Sequence, residues 1–114
     1  MKRAVTLKEN YEFRRLYQRG KSAAGGTMVL YCRKNKLDHN RLGLTASTKL
    51  GHAVVRNRCR RRLREVYRLN EDKFQPGWDI VVVARTRAIH APFDTLTENY
   101  LALAKKSGIL KDSL

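Results

Sequence analysis

Acidic residues are scarce in this sequence: 10 Asp and Glu stand against 25 Lys and Arg, so its 114 residues carry a formal net charge of +15. Such an excess destabilises a compact chain unless an anionic partner neutralises it, and the partners to consider are nucleic acid and an anionic membrane. Long apolar runs are missing as well. None approaches the roughly 18 residues of a spanning helix, and the N-terminus lacks the apolar stretch of a secretory signal. We therefore expect a nucleic-acid partner and no membrane association.

Cysteine is equally sparse, and the potential catalytic side chains are dispersed. Cys32 and Cys59 are too few and too poorly spaced for a disulfide framework or a zinc site, which fits a reduced cytoplasm best. His39, His52 and His90 fall in predicted loops or at a helix start, apart from any Cys or acid partner. The acids are scattered, and no pair has a convincing metal-site spacing. We expect no catalytic residue and no metal site in the chain itself.

Internal repeats, linkers and low-complexity segments are absent, apart from the arginine run described below. A chain of this length has room for one core of viable size. Its hydrophobic content of 42% is enough for a packed core rather than disorder. We expect a single domain over 1–114, with its core at about 7–106 and a short tail at 107–114.

Capping and turn residues divide the sequence into helices and strands. Thr6 and Glu9 have the spacing of a capping box, which predicts the start of a first helix, and Gly20 suits its end. Pro92 suits the first turn of a last helix, and Gly108 suits its end. The expected order is a helix over 7–19, strands over 27–33 and 41–47, a helix over 53–69, a strand over 78–85 and that last helix. This order predicts an α+β fold.

Alternation within the strands predicts which side chains are buried. The strand over 27–33 is expected to place Met28, Leu30 and Cys32 on one face and Val29, Tyr31 and Arg33 on the other. The strand over 41–47 is expected to point Leu42, Leu44 and Ala46 inward and Gly43, Thr45 and Ser47 outward. The unbroken apolar run at 80–83 predicts burial on both faces, as in a strand with a parallel neighbour.

The most informative segment is 49–68, which holds eight basic residues and one acid. On a helix, five of its apolar residues fall within an arc of about 120°; these are Val55, Cys59, Leu63, Val66 and Tyr67. The opposite arc holds Asn57, Arg58, Arg60, Arg61, Arg64 and Arg68, while Arg62 borders the apolar stripe and Arg56 falls within it. A one-sided arginine row predicts forked contacts to phosphate and stacking on bases. The alternative is an ordinary solvated basic face.

Residues 43–58, GLTASTKLGHAVVRNR, resemble the signature of the bacterial ribonuclease P protein family, in which an Arg-Asn-Arg helix follows a strand and a Lys-x-Gly turn. The resemblance covers about 7–88, including the helix with Phe13 and Tyr17, the strand at 29–31 and the strand at 80–85. The final helix matches only in type. Thr45 stands where the family usually has Ser, Thr48 where it often has Lys, and Arg62 where it often has an apolar residue. A phosphate contact at Thr48 is therefore not carried over.

The resemblance implies a two-layer α/β sandwich in a single RNA-binding domain, of order α-β-β-β-α-β-α, with a left-handed strand–helix–strand crossover against the general preference. It also implies that the chain joins a catalytic RNA, which supplies the active site and uses magnesium, to remove the 5′ leader of precursor tRNA. No protein partner is required. The residues expected to bind the RNA subunit are Arg56, Asn57, Arg58, Arg60, Arg61, Arg62, Arg64 and Arg68.

A cleft between the first helix and the sheet is implied to receive the single-stranded leader. The residues carried over to it are Phe13, Tyr17, Ser22, Val29, Tyr31, Thr45 and Lys49. Aromatic faces beside a basic groove suit single-stranded RNA, although core packing is the ordinary role of Phe13 and Tyr17. A ribosomal or RNA-chaperone binding module fits the composition equally well. A DNA-binding repressor fits poorly, because the arginine helix follows a strand directly and lacks helix-turn-helix spacing.

Overall fold

The computed structural model describes residues 5–111. Its strands are β1 (Val5–Thr6), β2 (Lys21–Ala24), β3 (Met28–Lys34), β4 (Arg41–Thr45) and β5 (Trp78–Ala84). Its helices are α1 (Asn10–Arg19), α2 (Ala53–Asn70) and α3 (Phe93–Ser107). Short 3₁₀ turns lie at Thr48–Leu50, Glu71–Lys73 and Thr86–Ala88. The α+β class is confirmed. Within residues 5–111, no helix is both long and apolar enough to cross a membrane.

The strands form one five-stranded sheet in the order β1-β4-β5-β3-β2. The central strand β5 is parallel to β4 and antiparallel to β3. Ile80, Val81 and Val82 are fully buried, which confirms the prediction that this run is covered on both faces beside a parallel neighbour. Because β4 and β5 are adjacent, parallel and joined through α2, they form the strand–helix–strand unit that the resemblance implies, and the strand order is consistent with that topology.

Helices cover both faces of the sheet. The main core joins one sheet face to α2 and α3 and contains Leu30, Ile80, Leu63 and Tyr100. On the other face, a smaller cluster joins Leu16 of α1 to Leu7 and Val81, with Phe13, Tyr31 and Val83 packed against it. The two-layer arrangement therefore describes the sheet with α2 and α3, and α1 adds a partial third layer.

The first helix begins later than its predicted capping box. Thr6 belongs to β1, which pairs in parallel with β4, and the Leu7 N–H donates to the Leu42 carbonyl over 2.9 Å. The helix starts at Asn10, and the Glu9 N–H donates to the Glu12 carboxylate over 3.4 Å. Pairing with the sheet edge takes up the backbone groups that a longer helix would need. The prediction of a helix over 7–19 is therefore wrong over 7–9.

Strand faces follow the predicted alternation, with one exception. Met28, Leu30 and Cys32 are fully buried in the main core, while Val29 and Tyr31 are half-buried on the α1 face. Gly43, expected to point outward, is buried, because the Phe13 ring lies over it. The outer face of β4 is therefore covered by α1.

The C-terminal end of α3 is fixed by Gly108, whose left-handed φ of 78° ends the helix as expected. The chain then returns to the core, since Ile109 is fully buried and Leu110 forms a bridge to Phe74. Ser107, Ile109 and Leu110 of the expected tail are thus packed, whereas Gly108 and Lys111 are exposed. Residues 112–114 lie outside the described range.

Candidate nucleic-acid interface

Helix α2 is held to the sheet by one side only. Cys59, Leu63, Val66 and Tyr67 are buried with at most 4% exposure, and Val55 is half-buried. These are the residues of the predicted apolar stripe. The opposite side of α2 faces solvent and carries Arg58, Arg60, Arg61, Arg64 and Arg68, which we call the arginine row.

The members of the arginine row differ in their partners. Arg58, Arg61 and Arg64 are exposed. Arg60 is half-buried and donates to the Asn57 side chain. Three exposed guanidiniums on successive turns form a continuous surface for phosphate oxygens.

The acid in this segment, Glu65, is paired within the row. Arg68 donates to both of its carboxylate oxygens, at 2.9 and 2.6 Å. Hydrogen bonding from Arg68 lowers the pKa of Glu65, so the carboxylate stays ionised. The C-terminal end of the row therefore carries less free positive charge than its centre.

Two arginines expected to bind RNA are half-buried. Arg62 donates to the carbonyls of Ala88, Ile89 and Ala91, with N···O distances of 3.1 and 3.4 Å to the first two. Arg56 is half-buried, and its Nε is enclosed without a hydrogen-bond partner among the described residues. Arg62 thus braces the loop before α3, and its geometry does not support direct RNA contact.

A second surface lies on the α1 face, where cross-strand neighbours form the floor of a cleft. One row runs through Ser22, Tyr31, Val81 and Gly43. The adjacent row runs through Ala24, Val29, Val83 and Thr45. We call this floor, together with Phe13 and Tyr17 of α1, the aromatic cleft.

Helix α1 covers only part of this floor. Leu16 is 1% exposed, whereas Tyr17, one residue later, is 39% exposed. The ring of Tyr17 meets Tyr31 edge-to-face, with centroids 4.9 Å apart, and its hydroxyl lies 3.5 Å from Oγ1 of Thr45. These contacts bring together three cleft residues that are distant in sequence.

Phe13 has a structural role within the cleft. A Cβ added to Gly43 would lie 2.7 Å from Cζ of Phe13, so only glycine permits the ring to sit this close to β4. Phe13 is half-buried, which fits the packing alternative considered for it. The residue sets the spacing between α1 and the sheet.

The remaining predicted cleft residues lie around this floor. Ser22 is exposed and opposite Tyr31 in the β2–β3 register. Lys49 is exposed in the turn Thr48–Leu50, which follows the end of β4. Four floor positions were not among the predicted cleft residues: Gly43, Val81, Ala24 and Val83. The half-burial of Val83 marks the place where α1 stops covering the sheet, and strand periodicity carries no signal for that.

A buried ion-pair network anchors α1 next to the cleft. Arg41 donates two hydrogen bonds to Asp79, at 2.7 and 2.6 Å, and one to Glu12 of α1, at 2.5 Å. The Asp79 and Glu12 side chains are only 10% and 13% exposed. Bonding to Asp79 raises the pKa of Arg41 above its ordinary value, so the guanidinium stays charged. Sequence reasoning missed this network, although an acid inside an apolar strand signals a buried partner.

The thiols and histidines do not form a reactive cluster among the described residues. Cys32 and Cys59 are free and buried, and burial raises the pKa of both thiols, which suppresses the nucleophilic thiolate. The expectation that no histidine has an acid partner is wrong for His39, whose Nδ1 lies 2.9 Å from the Asp38 carboxylate. Over residues 5–111, no group of three or more His, Cys, Asp or Glu side chains could hold a metal ion.

The fold and the two surfaces define a class: a small basic α+β protein with an arginine-bearing helix on one face of its sheet and an aromatic cleft on the other. Comparisons with known proteins identify the family. The family described as Ribonuclease P matches residues 1–108. The chain therefore belongs to the ribonuclease P protein family.

Individual relatives and solved structures agree with this assignment. The ribonuclease P protein component of Natranaerobius thermophilus is 40% identical over 114 residues, covering 100% of this chain and 99% of the relative. That of Clostridioides difficile is 42% identical over 108 residues, covering 94% and 95%. The RNase P protein of Staphylococcus aureus has a TM-score of 0.85 and 33% identity over 96% of this chain and 100% of that chain. The Thermotoga maritima protein has a TM-score of 0.81 and 33% identity over 89% and 96%.

Proposed function

We propose that this chain is the protein subunit of ribonuclease P, which promotes removal of the 5′ leader from precursor tRNA. The observation that carries the proposal is that two candidate RNA-binding surfaces lie on opposite faces of the sheet. The arginine row belongs to a helix on one face, and the aromatic cleft opens on the other. A protein built in this way can hold a folded RNA and a single strand at the same time.

The arginine row is the surface we assign to the catalytic RNA. Its exposed members outside the Arg68–Glu65 pair, Arg58, Arg61 and Arg64, can form forked contacts with phosphate oxygens. Neutralising 5 or 6 phosphates would give RNA affinity a log–log salt slope of roughly −4 to −5. Because the apolar stripe holds the helix to the core, the backbone positions of these arginines are fixed before the RNA binds.

The aromatic cleft is the surface we assign to the leader. Single-stranded RNA exposes unpaired bases, which stack on aromatic rings with about 1–3 kcal/mol per base and little sequence preference. Tyr31 and the partly exposed Tyr17 offer such rings. The hydroxyls of Thr45 and Ser22 and the ammonium of Lys49 are suited to the sugar and phosphate groups.

Catalysis is assigned to the RNA partner. The buried thiols and the exposed Asp38–His39 pair offer no constellation for phosphodiester hydrolysis, so we propose that the catalytic RNA supplies the active site and binds the magnesium ions. The protein's contribution is to bind and orient the two RNAs. We further propose that this takes place in the cytoplasm and requires no additional protein.

Reconstitution tests the proposal directly. The chain is combined with a bacterial ribonuclease P RNA, and 5′ cleavage of precursor tRNA is followed at low magnesium, where the RNA alone is slow. We expect the protein to raise the cleavage rate, and the protein alone to cut nothing. Cleavage by the protein alone would refute the assignment of catalysis to RNA. Failure to stimulate the RNA, together with co-purification with ribosomal particles, would favour a ribosomal or chaperone role instead.

A further inference from the structure

A concavity of about 610 Å³ lies outside both proposed surfaces, between the turn Thr86–Ala88, helix α3 and the β2–β3 turn. We call it the side pocket. Its volume is within the range of small-ligand sites. Its polar lining consists of Thr27, Thr86, Arg87, His90, Thr95 and Asn99.

The side pocket presents hydroxyl, amide and cationic groups. Thr27 is buried, and its hydroxyl donates to Oδ1 of Asn99 over 2.7 Å. This bond fixes the amide and leaves its NH₂ group, which has no protein partner within residues 5–111, for a ligand acceptor. Arg87 is exposed at the rim and can meet a phosphate.

The lining offers one aromatic ring, the imidazole of His90, and no Phe, Tyr or Trp side chain from the described residues, so the pocket is less suited than the aromatic cleft to stacking bases. It is better suited to a ribose and its phosphate. The 2′-hydroxyl of RNA both donates and accepts hydrogen bonds, which matches the threonine hydroxyls and the Asn99 amide.

The side pocket continues from the aromatic cleft. An adjoining depression of about 520 Å³ shares Gly26, Thr86 and Arg87 with it, and also includes Ala24. Ala24 is the edge residue of the floor row that ends at Thr45 on the other side. A strand lying along that row therefore reaches the side pocket when it leaves the cleft at the β2 edge.

The wall of the side pocket is held by α2. Arg62 binds the carbonyls of Ala88, Ile89 and Ala91, and the braced loop supplies His90 and Ala91 to the lining. Arg62 is thus a positioning residue for the pocket.

The direction in which the leader runs along the cleft follows from the position of α2. The Thr45 end of the floor leads through Thr48–Leu50 into the start of α2, where the catalytic RNA is assigned. The Ala24 end is the opposite end of the same row. With the catalytic RNA assigned to α2, our proposal places the leader nucleotides at the Ala24 end farther from the cleavage site.

We infer that the side pocket binds one ribose-phosphate unit of the precursor-tRNA leader, beyond the nucleotides held in the aromatic cleft. The inference rests on the proposed function and deepens it, because it adds an RNA-specific contact for longer leaders.

The test uses the reconstituted holoenzyme and precursor tRNAs with leaders of graded length. Arg87→Ala removes the rim charge, and Asn99→Asp keeps the acceptor for Thr27 while removing the NH₂ group. Lys106→Ala is the matched control, since it removes one charge from an exposed position of α3 away from the pocket. We expect each pocket variant to weaken binding of long-leader substrates roughly fivefold and to leave substrates whose leader ends within the cleft unchanged.

Single deoxyribose substitutions along the leader provide a second readout. A deoxyribose at one leader position beyond the cleft should weaken binding of the substrate to the wild-type holoenzyme. The same deoxyribose should cause no further loss when the holoenzyme contains Asn99→Asp. Circular dichroism and thermal unfolding of each variant check that the fold is kept. If Asn99→Asp is unstable, the test uses Arg87→Ala, which should weaken binding of long-leader substrates, and Arg87→Lys, which keeps the charge and should restore it.

Four results would overturn the inference. Equal losses for short and long leaders would exclude a distal leader contact. If the pocket variants bound the RNA subunit more weakly in the absence of substrate, the side pocket would be a contact for the catalytic RNA and not for the leader. If Lys106→Ala weakened binding as much as the pocket variants do, the loss would be explained by the lower net charge of the protein rather than by the side pocket. Wild-type protein that fails to promote leader processing would refute the proposed function itself, whereas wild-type-like variants would refute only the side pocket.

Discussion

The arginine row and the aromatic cleft are built in different ways. The row lies on α2 alone, and its exposed members, Arg58, Arg61, Arg64 and Arg68, are within eleven consecutive residues of the sequence. The cleft takes residues from α1 and four strands, and its floor row joins Ala24, Val29, Val83 and Thr45 only through strand register. One surface is a local property of a helix, and the other is a product of the whole sheet.

This difference has a consequence for mutation. Arg58, Arg61 and Arg64 of the arginine row are exposed, so we expect that they can be changed without altering the fold. Cleft residues also pack, as Phe13 does against Gly43 and Tyr17 does against Tyr31. Changes in the cleft should therefore affect both stability and binding, and the following variants test that contrast.

The largest effect is expected for charge reversal in the arginine row. Arg61→Glu with Arg64→Glu should lower affinity for the RNA subunit on the order of 100-fold and reduce the magnitude of the salt slope by about 2. Thermal unfolding should be unchanged, because both side chains are exposed. Filter binding over a salt series measures the affinity, with Lys105→Glu and Lys106→Glu on α3 as a control of equal charge change. Equal losses in both double variants would mean that net charge, not the row, determines binding.

Filling the space at Gly43 should be the next largest effect. Gly43→Ala places a methyl group against the Phe13 ring, and overpacking of this kind should cost about 2 kcal/mol in the free energy of unfolding. Affinity for leader-bearing substrate should fall as well, because α1 is displaced from the sheet. Urea denaturation measures the cost, and Phe13→Leu in the same chain should restore part of it. A Gly43→Ala protein of wild-type stability would contradict the close packing of α1 on β4.

A smaller and more selective effect is expected for Tyr31. Tyr31→Ala removes a ring from the cleft floor and should weaken binding of leader-bearing precursor tRNA about tenfold, the value of one stacked base. Leaderless tRNA should bind as before. Some stability should also be lost, since the ring packs against Tyr17; Tyr31→Phe, which keeps the ring, serves as the control. Equal losses for both substrates would remove Tyr31 from the leader site.

The smallest effect separates two neighbouring arginines of α2. Arg62→Gln should lower the free energy of unfolding by about 1 kcal/mol, because it weakens the hydrogen bonds to the loop at 88–91. Arg64→Gln should leave stability unchanged and weaken RNA binding instead. Each variant is measured by both thermal unfolding and filter binding. If Arg62→Gln weakened RNA binding and left stability unchanged, Arg62 would contact the RNA and its hydrogen bonds to the loop would not matter for stability.

Much of the fold could be predicted from sequence because its signals are local. The apolar stripe of α2, the unbroken run at 80–83 and the stop at Gly108 were all predicted, and the structure confirms them. The start of α1 was not, because Thr6 pairs with a strand more than 30 residues away. Local capping residues cannot report such a pairing.

The candidate site divides in the same way. Which arginines face solvent follows from helix periodicity, which already places Arg62 at the border of the apolar stripe and Arg56 within it. The partners of Arg62, the carbonyls before α3, do not follow from it. The cleft residues came from the family resemblance, and no sequence pattern indicated Ala24, Val83 or the Arg41 network. These depend on strand register and on where α1 ends over the sheet.

The sequence by itself determined a basic α+β chain with one helix that presents arginines on the side away from its apolar stripe, because a period of 3.6 residues fixes both sides at once. Only the tertiary structure decided the cleft, the side pocket and the role of Arg62. Each of these depends on contacts between residues far apart in the chain, and their geometry exists only after the sheet has brought them together.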